Sequence, residues 1–263
     1  KGASLRDFFS TGTLHVIYNL TAPKPQHSTN PQLQYSNNPT HSSHPPFHNS
    51  SIPTIPPIPP IHHSTHPPIH SPAFSACILA GGASRRMGQD KALIRIHGES
   101  LLQRQLDVIQ QLQPMECFIS GQSGVDYGIE ELPVVVDAKP GQGPMAGIAT
   151  ALSACRTPLL LVLAVDMVQM TPGWLQKLLQ IDETCGRAAR IDGRWEPLAA
   201  VYPKTLLPRI QEHLSKGQFA LQKLLDEAHA EDQFEPITVS GEEKKLFTNL
   251  NTPEALNQFM HPS

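Results

Sequence analysis

The stretch Cys77–Leu93, CILAGGASRRMGQDKAL, joins a short apolar run to a glycine-rich loop that carries positive charge. Its first four residues have the composition of a buried strand, which Gly81 and Gly82 end abruptly. Glycine lets a backbone approach a ligand closely, and the exposed amides of such a loop form an anion site. The basic side chains of the loop, whose charge complements phosphate oxygens, are Arg85, Arg86 and Lys91. The stretch therefore predicts a loop that holds a nucleoside triphosphate, although an ordinary glycine-rich turn has a similar composition.

The residues after Ala73 alternate between strand-like and helix-like runs, which predicts an α/β domain with a mainly parallel sheet. The apolar run Leu159–Asp166, LLLVLAVD, has the composition of a strand that is buried on both faces. Asp166 ends this run and Asp137 ends an earlier one, so both carboxylates are expected where open α/β sheets place their chemistry. A second glycine-rich segment, Lys139–Gly147, is expected to open into a helix whose amino terminus favours anions.

Two common phosphate-binding loops do not fit the glycine spacing. The dinucleotide pattern G-x-G-x-x-G is absent because Gly81, Gly82 and Gly88 are spaced differently. The pattern G-x-x-x-x-G-K-[ST] fails because Lys91 comes three positions after Gly88. What remains, a basic loop with acidic side chains at strand ends, suits Mg²⁺-assisted attack on an α-phosphate with pyrophosphate as the leaving group. No Ser-His-Asp or Cys-His pattern indicates a nucleophile.

Residues 1–72 are predicted to be a low-complexity, disordered segment, which leaves residues 73–263 as the folded domain. Residues 21–72 contain 14 of the 26 prolines and a single charged side chain, and nine of the 13 histidines lie in the first 72 residues. Compositional bias explains these histidines better than a metal site does. A short strand near residues 14–18 is the one exception, and its partner is not evident. The start at Lys1 is expected of a fragment or of a translation from upstream of the true start.

The net charge, the cysteine spacing and the lengths of the apolar runs limit which partners and which cellular compartment are expected. A net charge of −3 gives no electrostatic reason to expect nucleic acid as a partner. The four cysteines are far apart and form no C-x-x-C pair, as in a cytoplasmic protein with reduced thiols. No apolar run approaches the roughly 18 residues that a membrane-spanning helix needs. We therefore expect a cytoplasmic protein that binds neither nucleic acid nor membrane.

The loop sequence Leu79–Leu93 resembles the L-A-G-G-x-S-x-R-M-G-x-D-K signature of nucleotidyltransferases with a Rossmann-like fold, and most closely that of the molybdenum cofactor guanylyltransferase family. Further segments that match this family, in the same order, are Gly143–Ile148, Leu161–Pro172, Glu196–Tyr202 and Asn249–Leu256. The resemblance extends over residues 74–263. It implies a Rossmann-like three-layer α/β sandwich with a mainly parallel central sheet.

The resemblance also implies an activity. Family members transfer GMP from GTP to the terminal phosphate of molybdenum-bound molybdopterin, a Mg²⁺-dependent reaction that releases pyrophosphate and forms the guanine dinucleotide cofactor. The expected partners are GTP and molybdenum-molybdopterin, together with cofactor-biosynthesis proteins and recipient molybdoenzymes. Two alternatives stay open: a nucleotidyltransferase that uses CTP or a sugar phosphate, and a module that delivers the cofactor without catalysis. Gly82, Met145 and Ala146 favour guanine by analogy with the family.

Matching family positions imply contacts between individual residues and the nucleotide. Leu79, Ala80 and Gly81 would contact the nucleotide through their backbone. Lys91 would bind its phosphates, and Asp137 would contact the guanosine part.

The same resemblance implies residues for the chemistry and for the acceptor. Asp166 would bind Mg²⁺ and be the main catalytic residue, with Lys91 and Arg86 supplying positive charge. Asn249 and Asn251 match positions near the site of the pterin substrate.

Two positions depart from the family pattern. Ser120 stands where an asparagine often follows the second strand, so no contact to the base or ribose is expected from it. Val168 stands where a proline usually shapes the loop after Asp166.

Overall fold

The computed structural model describes residues 15–17, 72–80, 90–129, 132–136, 141–250 and 253–260. These residues belong to one compact unit of the chain, which comprises Lys1–Asn19 and Ile69–Ser263. The second unit, Leu20–Pro68, lies outside the described residues, as does most of the segment for which disorder is predicted. The domain boundary at residue 73 therefore stays a prediction.

The described residues form ten strands and six α-helices. The strands are β1 (His15–Ile17), β2 (Phe74–Leu79), β3 (Arg95–Ile96), β4 (Glu99–Ser100), β5 (Glu116–Gly121), β6 (Val134–Val136), β7 (Leu159–Ala164), β8 (Gly186–Ile191), β9 (Arg194–Pro203) and β10 (Phe234–Ile237). The helices are α1 (Leu101–Gln110), α2 (Pro144–Ala154), α3 (Pro172–Leu178), α4 (Leu207–Ser215), α5 (Leu221–Ala230) and α6 (Pro253–Met260). Short 3-10 helices span Lys91–Leu93, Lys204–Leu206 and Glu243–Phe247. In the part of the chain that the structure describes, none of the helices has both the length and the apolar composition that crossing a bilayer requires.

Eight of these strands form one sheet in the order β1-β6-β5-β2-β7-β9-β8-β10, and β3 and β4 form a separate hairpin. Within the sheet, β1 and β9 run antiparallel to their neighbours, and the other six strands share one direction. The mainly parallel sheet that the sequence predicts is confirmed.

The side chains of the central strands alternate between two cores. On β7, Leu159, Leu161 and Leu163 pack in one core together with α1 and α3. Leu160 and Val162 point the other way and pack with α2, α4 and α5. A strand that is buried on both faces needs an apolar side chain at every position, which is why β7 is continuously apolar in sequence. Helices cover both faces of the sheet, so the predicted three-layer sandwich is confirmed.

The carboxyl ends of the central strands meet at one edge of the sheet. Leu79 at the end of β2 is in register with Ser120 on β5 and with Ala164 on β7. The loops that follow these three strands therefore leave the sheet side by side. Open α/β sheets bind their ligands at this edge, so it is where the candidate site has to be sought.

One of the described strands lies in the N-terminal segment. β1 pairs antiparallel with β6, and Val16 lies opposite Val135. The strand predicted near residues 14–18 thus pairs with β6 at the edge of the sheet. The sequence did not identify this partner.

A polar cluster lies at the amino-terminal edge of the sheet, opposite the candidate site. Glu116, the first residue of β5, accepts hydrogen bonds from Ser75 Oγ (2.9 Å), the Arg156 amide (2.8 Å) and Arg156 Nε (2.6 Å). Ser75 Oγ also lies 2.7 Å from Thr157 Oγ1. Burial alone would raise the pKa of the Glu116 carboxyl, but these hydrogen bonds outweigh burial and hold the pKa below its ordinary value.

We expect Glu116→Gln to lower the free energy of unfolding by about 1–2 kcal/mol at neutral pH, a modest figure because the Arg156 side chain is exposed. Since the folded-state pKa is lowered, the stabilisation is fully present above the ordinary carboxyl pKa of about 4.3 and is lost as pH falls through the lowered value. Urea unfolding of both proteins over a series of pH values checks this, and the difference should shrink in acid. The exposed Glu183→Gln is the matched control. A Glu116→Gln difference that does not change with pH would contradict the assignment.

Candidate active site

A mostly buried ion pair joins two loops at the carboxyl edge of the sheet. Lys91 begins the 3-10 helix that follows the glycine-rich loop, and Asp166 follows β7. The Nζ of Lys91 lies 2.8 Å from the Oδ2 of Asp166, and their side chains are 18% and 14% exposed. A pair with so little solvent around it interacts more strongly than a surface pair. The residues that the resemblance assigns to phosphate and metal binding are therefore in direct contact.

Hydrogen bonds from two other segments hold the backbone around Asp166. The Val165 amide donates to the Leu79 carbonyl on β2 at 3.2 Å, and the Asp166 carbonyl accepts from the Leu250 amide at 3.1 Å. Asn249 is thereby brought to the turn that carries Asp166. The Oδ1 of Asn249 is buried and has no hydrogen-bond partner among the described residues. An unsatisfied amide oxygen of this kind is a ready acceptor for a ligand donor.

A second set of contacts fixes the segment that carries Lys91. Asp90 caps the 3-10 helix, since its Oδ1 accepts from the amide two residues later at 2.9 Å. The Tyr127 hydroxyl donates to Oδ2 of Asp90 at 3.4 Å and accepts from the Gln122 amide at 2.9 Å. Burial, together with the nearby Asp90 carboxylate, raises the pKa of Tyr127 to about 12, so the hydroxyl stays a donor. Gly121 leaves room for the ring, because a Cβ there would lie 2.5 Å from the hydroxyl.

The amino terminus of α2 lies beside the same strand ends. Gly143 precedes the helix with a φ of 70°, and Pro144 begins it. Gly147, in the first turn, packs so closely that a Cβ would lie 2.4 Å from Ser120 Oγ and 3.4 Å from Leu79 Cδ2. The helix therefore starts directly against β2 and β5 and turns an anion-favouring end to the carboxyl edge. A larger residue at position 147 would therefore have to displace the Ser120 hydroxyl.

The other residues with predicted roles fall into two groups. Leu79 and Ala80 are buried at the end of β2, where the Ala80 amide donates to the Ser120 carbonyl at 2.9 Å. Those that lie outside the described residues are Gly81, Gly82, Arg85, Arg86, Asp137 and Asn251. The roles of this second group stay predictions, as do the nucleotide contacts of Leu79 and Ala80.

The side chains of the site fit a metal ion that is already bound to the substrate when the substrate enters the site. Within the described ranges, no group of three or more His, Cys, Asp or Glu side chains is arranged to hold a metal ion. Asp166 offers one carboxylate, and one of its oxygens accepts from Lys91. Mg²⁺ commonly binds through one or two carboxylates plus the phosphate oxygens of a substrate. The Asp166 carboxylate is therefore suited to Mg²⁺ that is carried by a triphosphate.

Sequence reasoning missed three residues of this region. Asp90 carried a local signal, because an acid directly before a helical turn is a typical cap. Tyr127 and Gln105 carried no signal for the groups that they contact. They contact the Asp90 side chain and the Met167 carbonyl from 37 and 62 residues away in the chain, and no local pattern specifies such pairs.

Comparison with known proteins identifies the family. Residues 76–243 match the model of the MobA-like NTP transferase domain. A protein named "Probable molybdenum cofactor guanylyltransferase" from Opitutus terrae is 31% identical over 189 residues, which are 70% of this chain and 94% of that protein. The molybdenum cofactor guanylyltransferase of Pseudomonas putida is 30% identical over 193 residues, which are 72% of this chain and 98% of that protein.

Solved structures share the fold. Molybdopterin-guanine dinucleotide biosynthesis protein A from Archaeoglobus fulgidus has a TM-score of 0.59 at 22% identity, over 70% of this chain and 95% of that one. The 2-C-methyl-D-erythritol 4-phosphate cytidylyltransferase from Thermus thermophilus has a TM-score of 0.54 at 18% identity, over 72% of this chain and 97% of that one. At these identities the likeness confirms the Rossmann-like architecture alone. The family match and the curated relatives go further: the chain belongs to the MobA-like NTP transferase family and is an enzyme of the nucleotidyltransferase class.

Proposed function

We propose that this enzyme transfers GMP from GTP to the terminal phosphate of molybdenum-bound molybdopterin, releasing pyrophosphate and forming the guanine dinucleotide cofactor. The observation that carries the proposal is the Lys91–Asp166 pair, 2.8 Å apart at the carboxyl edge of the sheet. It combines positive charge for phosphates with a carboxylate for Mg²⁺. The relatives named molybdenum cofactor guanylyltransferase support the choice of substrates.

The groups of the chain would act by positioning and by charge. The Lys91 ammonium would bind the triphosphate and offset the negative charge that develops on it. Asp166 would hold Mg²⁺, which neutralises phosphate oxygens when it is bound. An oxygen of the acceptor phosphate forms a bond to the α-phosphorus of GTP, and the bond from the α-phosphorus to its bridging oxygen breaks. The electron pair of that bond leaves with pyrophosphate. Positioning of the two substrates supplies much of the rate.

Asn249 supports the location of the acceptor. Its buried Oδ1 lacks a partner among the described residues, and the adjacent Leu250 amide is bonded to the Asp166 carbonyl. An amide oxygen accepts from N–H groups of the kind that a pterin ring presents. We therefore assign Asn249, with Asn251 beyond it, to the pterin substrate. Residues that keep their implied roles toward the nucleotide are Leu79, Ala80, Gly81, Arg86 and Asp137.

The cysteines support a reducing compartment. All four lie within the described residues, and none forms a disulfide. Burial raises the pKa of Cys117 to about 12, which makes its thiol unreactive. We place the reaction in the cytoplasm, with cofactor-biosynthesis proteins and recipient molybdoenzymes as further partners.

The nucleotide selectivity of the purified full chain tests the proposal. With molybdenum-molybdopterin and Mg²⁺ present, we expect GTP to support pyrophosphate release with a kcat/KM at least about tenfold above that of CTP or UTP. Chromatography of the product identifies the attached base, and reactions without acceptor give the background. A preference for CTP, or for a sugar phosphate as acceptor, would replace the proposal with another nucleotidyltransferase. Stable binding of the cofactor without pyrophosphate release would make the chain a delivery module.

A further inference from the structure

Gln105 is a polar side chain on the apolar face of α1. The buried positions of this helix form a core-facing stripe and are Leu101, Leu102, Gln105, Leu106 and Ile109. Gln105 is 0% exposed, and its Oε1 has no hydrogen-bond partner among the described residues. Burying an amide with one group unsatisfied is unfavourable, whereas leucine fits such a stripe without that cost. Packing alone therefore does not account for glutamine at this position.

The amide nitrogen of Gln105, in contrast, has a partner that accounts for glutamine at this position. The Nε2 donates to the Met167 carbonyl at 3.0 Å, and Met167 directly follows Asp166. Met167 is 1% exposed, so water has little access to replace this donor. A helix that is remote in sequence thus holds the peptide next to the proposed metal ligand.

This hydrogen bond acts together with backbone hydrogen bonds that hold the chain around Asp166. The Val165 amide donates to the Leu79 carbonyl on β2, and the Asp166 carbonyl accepts from the Leu250 amide. Gln105 adds a hydrogen bond on the carboxyl-terminal side of Asp166, at the Met167 carbonyl. The next residue is Val168, which leaves φ free where a proline would fix it. The Met167 carbonyl also accepts from the Met170 amide at 3.0 Å, and the Met167 amide donates to the Ala164 carbonyl at 3.3 Å, so backbone hydrogen bonds close the turn locally. The Gln105 donor joins this turn to α1, and removing the donor would loosen the turn on that side.

We propose that Gln105 is a positioning residue for the reaction: through the Met167 carbonyl, it holds the turn after β7 so that the Asp166 carboxylate keeps the orientation that Mg²⁺ on the triphosphate requires. This role rests on the proposed function, because it needs Asp166 to bind the metal. Residues that orient a metal ligand from outside the coordination sphere change metal affinity or activity by about 10–100-fold when they are replaced.

Two variants separate this role from ordinary packing. Gln105→Met removes the donor and keeps the length and approximate volume of the side chain. Ile109→Val is the matched control: it removes one methylene from the same buried stripe, one turn later, and leaves the Gln105 donor in place. Both full-length proteins are assayed at a temperature at which their unfolding curves show them to be folded.

Three measurements are compared between the variants. We expect the Mg²⁺ concentration for half-maximal pyrophosphate release to rise about tenfold in Gln105→Met and to stay unchanged in Ile109→Val. Mn²⁺ binding to the complex of protein and GTP, measured by electron paramagnetic resonance, should weaken by a similar factor. Hydrogen exchange of the amides in residues 165–170 should be faster in Gln105→Met alone.

Each outcome of these measurements either supports the proposal or overturns it. A Gln105→Met protein with wild-type Mg²⁺ requirement, Mn²⁺ affinity and exchange would overturn it, and so would equal changes in both variants. A wild-type protein that releases no pyrophosphate from any nucleotide would reject the proposed function instead. In that case, faster exchange at residues 165–170 in Gln105→Met would still support the positioning of the turn, and unchanged exchange would overturn it.

Discussion

Asp166→Ala is expected to lower kcat for GMP transfer by at least about 10³-fold, which corresponds to about 4 kcal/mol of transition-state stabilisation. Alanine removes the carboxylate oxygens that would hold Mg²⁺ beside the α-phosphate. The loss should fall mainly on kcat, because Lys91 and the loop backbone would still bind the triphosphate. Initial rates of pyrophosphate release and equilibrium binding of labelled GTP measure the two effects separately.

Controls for this prediction address folding and charge. Asp166→Asn keeps the shape of the side chain and removes its charge, so it separates loss of the metal ligand from loss of packing. Asp182→Ala removes an exposed acid from the loop that enters β8 at the opposite edge of the sheet, and it should keep full activity. A folded Asp166→Asn protein that retained more than about a tenth of wild-type activity would contradict the role of Asp166.

The helices and central strands could be predicted because local and long-range requirements agree there. Ser100 caps α1 by accepting from the Gln103 amide at 3.1 Å, and Thr171 caps α3 by accepting from the Trp174 amide at 3.3 Å. Both capping residues precede a run with helical periodicity, so the sequence alone locates both helix starts. On the sheet, burial on both faces leaves a continuous apolar run that only a central strand explains.

Strand ends were harder to predict, because they depend on partners elsewhere in the chain. The apolar run that ends at Asp166 suggests a strand of the same length, but β7 ends at Ala164. The last hydrogen bond between β2 and β7 runs from the Val165 amide to the Leu79 carbonyl, and the pairing stops there. That bond exists only because β2 lies beside β7, which is a property of the sheet order and not of the local sequence.

The last strand shows the same limit. The sequence favours a strand over Ile237–Val239, whereas β10 spans Phe234–Ile237 and includes Pro236. Proline normally argues against a strand, but an edge strand needs donors on one side only. Among the described strands, β10 pairs with β8 alone, so Pro236 is tolerated there.

In the site, the resemblance identified Lys91 and Asp166, and the sheet order explains their contact. The loop after β2 and the turn after β7 leave neighbouring strands at the same edge. Periodicity could mark Gln105 as a core position of α1, but it could not show which group its amide would meet. That partner is the Met167 carbonyl, and only the packed structure brings the two together.

Lys91→Met is expected to lower kcat/KM for GTP by about 10²–10³-fold, with effects on both kcat and KM. Methionine keeps much of the aliphatic stem and removes the ammonium, so the phosphates lose a cation and Asp166 loses a partner 2.8 Å away. Lys91→Arg keeps the charge but not its compact geometry, so it should recover only part of the activity. Steady-state rates over a range of GTP concentrations measure both parameters. A folded Lys91→Met protein with unchanged kcat/KM would exclude Lys91 from the phosphate site.

Combining the two substitutions shows whether Lys91 and Asp166 act as one unit. If Lys91 orients the Asp166 carboxylate as well as binding phosphate, part of the loss in Lys91→Met is already contained in Asp166→Asn. The double variant should then lose little more activity than Asp166→Asn alone. If Lys91 acts on the phosphates independently, the two losses should multiply instead. The contact between Nζ and Oδ2 favours the first result, because either substitution breaks the same ion pair in a site with little solvent.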